Sequence, residues 1–194
     1  MSGAMQRPLQ PAPSGSPAAA PGPAPYYADK TVILQSVFGA LDVAPEAGRL
    51  IVDGTVYPVI DDVIVCLEPT SWPASLRARL GGGPAGRDVV VDDIQYTFGL
   101  EWQTFRSVLA EDEATFRRYF DLIDLDGLAD ARLCDLGCGM GRWSFFASRY
   151  CREIVLVDFS EAIFVAREVM RERRNAIFVM ADVRPCRSPR TSPI

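Results

Sequence analysis

The sequence predicts an α/β protein: a parallel sheet represented by its first three strands, preceded by a small β-rich module and a disordered tail. Three observations carry this. Apolar runs at Leu133–Leu136, Ile154–Val157 and Ala176–Met180 are separated by stretches of helical periodicity, the pattern of strands buried on both faces and joined by crossover helices. The first run flows directly into a glycine-rich turn, Gly137-Cys-Gly-Met-Gly141. The N-terminus, by contrast, holds seven of the 15 prolines within its first 25 residues, among Ala, Ser and Gly, and lacks the apolar side chains that would offset the entropy of ordering it.

After this tail (1–25), residues 26–73 read as the β module. Arg49-Leu-Ile-Val52 and Thr55-Val-Tyr57 flank Asp53-Gly54, a hairpin signal, because both central positions of the tight turn require positive φ. Val63–Leu67 is a further apolar run, and Val32-Ile-Leu34 with Val37 and Phe38 suits either a helix turn or a strand. A module of this size is near the lower limit for independent folding and is expected to lean on the C-terminal part of the chain. Pro73, Gly81-Gly-Gly83 and Pro84 mark a linker over 74–87. Trp102, Phe105, Val108 and Leu109, then Phe116, Tyr119, Phe120 and Ile123, fall at helical spacing. Glu111-Asp-Glu113 is placed to complement a helix N-terminus.

Composition narrows the chemistry. The 194 residues are 48% hydrophobic and 23% charged, with 20 Lys+Arg against 25 Asp+Glu, a net −5 that gives no footprint for a nucleic-acid backbone. Histidine is absent, which removes imidazole acid–base catalysis and histidine-ligated metals. The five cysteines contain no CxxC pair, so no zinc site or disulfide framework is indicated. No apolar run is long enough to cross a bilayer and no signal peptide is visible, so a cytoplasmic location is expected.

The strand, glycine turn and helix from Arg142 to Tyr150 form an arrangement in which backbone N–H groups approach a nucleotide. Asp158 ends the second run some twenty residues beyond the glycines, where an acid accepts hydrogen bonds from both ribose hydroxyls of a bound nucleoside. Ser160 caps the following helix, whose Ile163, Phe164, Val169 and Met170 recur at helical spacing. Asp182 follows the third strand. A dinucleotide fingerprint places its third glycine where Arg142 stands. The glycines could instead serve tight packing, Asp158 and Asp182 could merely end strands, and Cys138 reads as a small packing residue rather than a nucleophile.

The spacing D-x-G-x-G-x-G, then Asp158, then Ala181-Asp182-Val183, resembles the class I S-adenosylmethionine-dependent methyltransferases. The resemblance implies a Rossmann-like domain over 88–183 and S-adenosylmethionine as cofactor. It places Asp135, Gly137, Cys138, Gly139 and Gly141 at the methionyl end and Asp158 on the ribose. Phe159 then lies against the adenine ring, with Asp182 and Val183 at the adenine edge. Phe98-Gly-Leu-Glu-Trp102 with Phe105 resembles the lead-in of bacterial members, and the β module resembles a zinc-ribbon-like element without its cysteines, with Asp62 where glycine is usual. The catalytic residues and the methyl acceptor are not specified.

Residues 184–194 do not resemble the family's continuation, but their codons, read two bases later with GC-rich third positions, can spell Ala-Leu-Pro-Phe-Ala-Ala-Asp-Phe-Ala-Asp. A frameshift near Arg184, a truncated domain with impaired catalysis, and self-association through an uncovered sheet edge are therefore expected. The competing readings are a noncatalytic cofactor-binding or interaction protein and a fragment of an NAD(P)-dependent oxidoreductase.

Overall fold

A computed structural model describes residues 25–80 and 110–182. The Pro-rich tail up to residue 24, most of the linker, the Phe98–Trp102 lead-in with Phe105, Val183 and the 184–194 segment lie outside the described residues. The elements are α1 (Thr31–Phe38), β1 (Val43–Glu46), β2 (Arg49–Val52), β3 (Thr55–Ile60), β4 (Val63–Val65), α2 (Ala74–Arg79), α3 (Ala110–Tyr119), β5 (Arg132–Leu136), α4 (Arg142–Ala147), β6 (Glu153–Asp158), α5 (Ala162–Val169) and β7 (Ala176–Met180). Single 3₁₀ turns lie at Pro69–Ser71 and Asp126–Leu128.

Strands β1 to β4 form an antiparallel meander closed by three two-residue turns. At Asp53-Gly54 both residues have positive φ (45° and 81°), as the dipeptide predicts. Asp61 (φ 45°) and Asp62 (φ 63°) make the β3–β4 turn in the same left-handed region without glycine. Pro45 sits on edge strand β1 and Pro58 lies outside the β3–β4 register, so neither interrupts a doubly paired stretch. Of the two conformations open to Val32–Phe38, the chain adopts the helix, ended by Gly39 at φ 63°.

The sheet does not stop at three parallel strands. Its order is β1-β2-β3-β4-β7-β6-β5: β4 lies parallel to β7, with Val63, Ile64 and Val65 opposite Phe178, Val179 and Met180. The expected three-stranded half-sheet is thus one end of a seven-stranded mixed sheet, and the outer edge of β7 is covered. At the other end β5 pairs with β6 alone among the described residues, and its Cys134 and Leu136 are exposed. Every residue of β6 and β7 is buried, which explains their unbroken apolar runs. Helix α5 covers β4, β6 and β7 through Ile163, Ala166 and the following Met170, while Phe116 of α3 packs on Phe146 of α4 at 5.5 Å between ring centroids.

Two tyrosines fasten the first described residues to the sheet. The Tyr27 hydroxyl donates to the Asp62 carbonyl at 2.6 Å and accepts from the Phe178 backbone N–H at 3.1 Å, joining the β3–β4 turn to β7. The Tyr26 hydroxyl lies 2.8 Å from both the Arg173 and the Ala176 carbonyl oxygens. Lys30, the sole lysine, is buried. Its ammonium donates to the Tyr26 carbonyl at 2.7 Å and to Asp29 at 3.2 Å, and sits 3.9 Å from the Tyr26 ring centroid.

Candidate functional site

The site is built where β5 and β6 end side by side. Gly137, Gly139 and Gly141 have φ of 76°, 53° and 75°, a succession of left-handed residues that side chains resist. The turn is tied to the neighbouring strand: the N–H groups of Gly137 and Cys138 both donate to the Val157 carbonyl, at 2.8 and 3.1 Å. Gly141 has a second reason to lack a side chain, since a Cβ there would stand 3.1 Å from the Ala166 Cβ and 3.2 Å from Leu156 Cδ2. A Cβ at Gly137 would meet nothing within 4 Å. One glycine therefore lets α5 approach, and another leaves open space above the turn.

Asp158, the last residue of β6, is buried and reaches across to this turn. Its Oδ2 accepts the Gly139 N–H at 2.8 Å; its Oδ1 accepts both the Ser160 N–H at 2.8 Å and the Ser160 hydroxyl at 2.7 Å. Charge-assisted bonds to backbone N–H groups are stronger than neutral ones, so the carboxylate sets the shape of the turn. Ser160 caps α5 from one residue further out than expected, its hydroxyl accepting the Ala162 N–H at 3.3 Å.

The remaining candidates divide. Gly137, Cys138, Gly139 and Asp158 converge, with Gly141 packed beneath them. Asp135 is turned to α4, where its carboxylate accepts the buried Ser144 hydroxyl at 2.5 Å. Phe159 and Asp182 are half-buried just past the ends of β6 and β7. Burial pushes the Cys138 thiol well above the ordinary cysteine range, and the carboxylates of Asp158 and Asp135 add to it. A thiol so held is a poor nucleophile, in keeping with a packing residue. Arg142 is exposed, paired with Asp112 and lying 4.6 Å over the Trp143 ring.

Ser160 has a part in the site that the sequence does not announce beyond helix capping. The signal is its place two positions after the strand-end acid, where a short hydroxyl side chain folds back on the carboxylate. An apolar cavity of about 240 Å³ lies elsewhere, between α3, β5 and α4, lined by Phe116, Phe120, Leu128, Leu133 and Trp143 with Asp135 at its wall. None of the three glycines lines it. Among the described residues no cluster of three or more His, Cys, Asp or Glu side chains could hold a metal ion, and no helix is long and apolar enough to cross a membrane.

No protein-family model matches the chain, and no curated protein matches it. Among solved structures, it is similar to phosphoethanolamine N-methyltransferase 1 of Haemonchus contortus in complex with phosphoethanolamine and S-adenosylhomocysteine, with 17% identity and a TM-score of 0.36 over 45% of this chain and 21% of that one. It is also similar to magnesium protoporphyrin IX methyltransferase of Synechocystis PCC 6803 with bound SAH, with 25% identity and a TM-score of 0.27 over 55% of this chain and 45% of that one. The chain thus spans less than half the length of each of these two structures.

Proposed function

We propose that this chain carries the cofactor-binding part of an S-adenosylmethionine-dependent methyltransferase. The observation that carries the reading is the Gly139–Asp158 contact, which joins the glycine turn after β5 and the acid ending β6 in a single site. The donor set suits a nucleoside cofactor: left-handed glycines with open space around the Gly137 Cα, a buried carboxylate, and half-buried Phe159 next to it in the chain. Arg142, at the last glycine position of a dinucleotide fingerprint, is engaged with Asp112, which favours this reading over a nicotinamide cofactor.

In this reading Asp158 holds the ribose, Phe159 lies against the adenine ring, and Asp182 with Val183 meets the adenine edge. The backbone of Gly137–Gly141 admits the methionyl end. The cofactor, when bound, supplies a methyl group already activated on a sulfonium. The protein's task is then to hold donor and acceptor in line and exclude water, for which no histidine is needed. The acceptor is a molecule of unassigned class.

Calorimetric titration of the purified chain with S-adenosylmethionine and with NAD tests the proposal. Selective binding of S-adenosylmethionine, lost in Asp158→Ala, is the expected result. Binding of NAD alone, binding of neither, or unchanged affinity in the variant would overturn it.

A further inference from the structure

The two edges of the sheet are unequal. Strand β1 ends it on one side with Pro45 among its four residues, and a proline on an edge strand hinders pairing with a further strand. Strand β5 ends it on the other side, has no proline, and pairs with β6 alone among the described residues. Its two charged side chains are engaged within the subunit: Arg132 with Glu153 at 2.6 Å and Ser36 at 2.7 Å, Asp135 with Ser144 at 2.5 Å. Neither is left to guard the edge, as charges on such strands commonly do.

The pairing with β6 fixes which backbone groups face outward. The Ala131 carbonyl accepts the Arg152 N–H at 3.0 Å and the Glu153 N–H at 3.4 Å, and the Gly137 N–H donates to the Val157 carbonyl at 2.8 Å. Alternate residues of a parallel strand bond to one neighbour, so the odd-numbered residues of β5 face β6. Arg132, Cys134 and Leu136 therefore turn their N–H and C=O groups to the open edge. Apolar surface accompanies them: Leu136 is 63% exposed, and Ile123, 47% exposed, lines the apolar cavity together with Leu133 and Cys134.

We propose that this edge is an interface between two copies of the chain, joined by antiparallel pairing of β5 about a two-fold axis at Cys134. With the axis there, Cys134 meets Cys134 of the second copy and Arg132 meets its Leu136, so all three outward residues exchange hydrogen bonds. Charge selects the same register. An axis at Arg132 would set two guanidinium groups opposite each other, and one at Asp135 two carboxylates; the Cys134 axis places Arg132 across from Leu136 and Asp135 across from Leu133. An axis at Leu133 or Leu136 leaves an outward residue beyond the end of the other strand.

The occupant is a second copy because the edge is complementary to itself and every copy brings it in equal number. The contact is small: five residues make a strand about 17 Å long, which even with Leu136 and Ile123 falls short of the roughly 800 Å² per partner of a standard stable complex. The dimer is accordingly reversible. Because association uses the unguarded edge of each copy and leaves the proline-bearing β1 at both ends, it closes at two subunits. The interface is independent of the cofactor reading.

Sedimentation velocity of the full chain from micromolar to millimolar concentration is expected to show a monomer–dimer equilibrium with no larger species. Cys134→Lys and Cys134→Glu, both at an exposed position, set like charges across the axis. Each is expected to weaken dimerisation about fivefold or more, and an equimolar mixture of the two to recover it. A short bismaleimide should link Cys134 of one copy to Cys134 of the other, read by peptide mass. A monomer at every concentration, oligomers that grow past two, unchanged dimerisation in either variant, or a mixture no stronger than the single variants would overturn the assignment. The cross-link is read on the unaltered chain and keeps the test decisive even where a variant unfolds: a dimer that the reagent links only through other cysteines would overturn the register.

Discussion

Arg167 on α5 holds Asp62 in the β3–β4 turn through two bonds to one carboxylate oxygen, Nε at 3.0 Å and Nη2 at 2.6 Å to Oδ2. The same guanidinium lies 4.9 Å from the Tyr26 ring centroid and 5.5 Å from that of Phe178. It thereby links the meander, the first described residues and the parallel strands. Both partners are largely shielded from solvent, so the pair is worth more than a surface ion pair. Arg167→Ala should destabilise the fold by about 2–3 kcal/mol, and Arg167→Lys should recover only part because it cannot offer the fork. Urea midpoints for the two variants check this.

The glycine turn makes a graded prediction. Gly137→Ala costs only the left-handed backbone penalty, about 1–2 kcal/mol, because its Cβ enters open space. Gly141→Ala incurs that penalty and also pushes against Ala166 and Leu156, so about 3 kcal/mol or more is expected. Equal losses of stability in denaturant titrations would show that the packing of α5 on the turn is looser than the distances imply.

Stability should fall in alkali for an identifiable reason. Burial pushes the Cys66 thiol from its ordinary 9.0 up to about 12, and pushes Tyr26 from 10.0 to about 12 against the opposing pull of Arg167 and Arg174. Burial raises Tyr27 further still. These groups keep their protons longer in the folded chain than in the unfolded one. Their contribution is thus fully present below about pH 9 and is lost as pH rises from there through about 12. Unfolding midpoints from pH 7 to 11 should be level at first and then decline, with a shallower decline above pH 10 in Tyr26→Phe.

Thiol reactivity separates Cys134 on β5 from Cys138 in the turn. Cys134 is exposed on the open side of β5, whereas Cys138 is buried and its ionisation is opposed by burial and by two neighbouring carboxylates. Iodoacetamide at pH 8 should label Cys134 first and reach Cys138 at a rate set by opening of the turn. Rapid labelling of Cys138 in the folded chain, read by peptide mass, would contradict the packing assignment.

What the sequence made legible was local. The runs at Ile154–Val157 and Ala176–Met180 announced buried parallel strands, Asp53-Gly54 announced its turn, and the glycines announced a turn between strand and helix, since each rests on neighbours in the chain. The pairing of β4 with β7 was not legible, because a three-residue strand carries no record of a partner so far along the chain. The Asp61-Asp62 turn was also hidden: its left-handed backbone is stabilised from outside, by Arg167 and the Tyr27 hydroxyl, rather than by a glycine. In the site, the spacing of Asp158 from the glycines was readable, but its occupation by Gly139 and Ser160 results from three-dimensional closure.

The tyrosine anchors also order events in time. Tyr27 and Phe178 are 151 positions apart, yet each completes the other's hydrogen bonding. At about 5–20 residues per second, synthesis leaves the meander and Tyr27 waiting on the order of ten seconds or more before β7 exists to receive them. Throughout that interval the side of β4 that later receives β7 presents unpaired backbone groups. The nascent chain is thus most vulnerable to association with its neighbours before its last described strand has been made, and the Asp61-Asp62 turn cannot by itself close that edge.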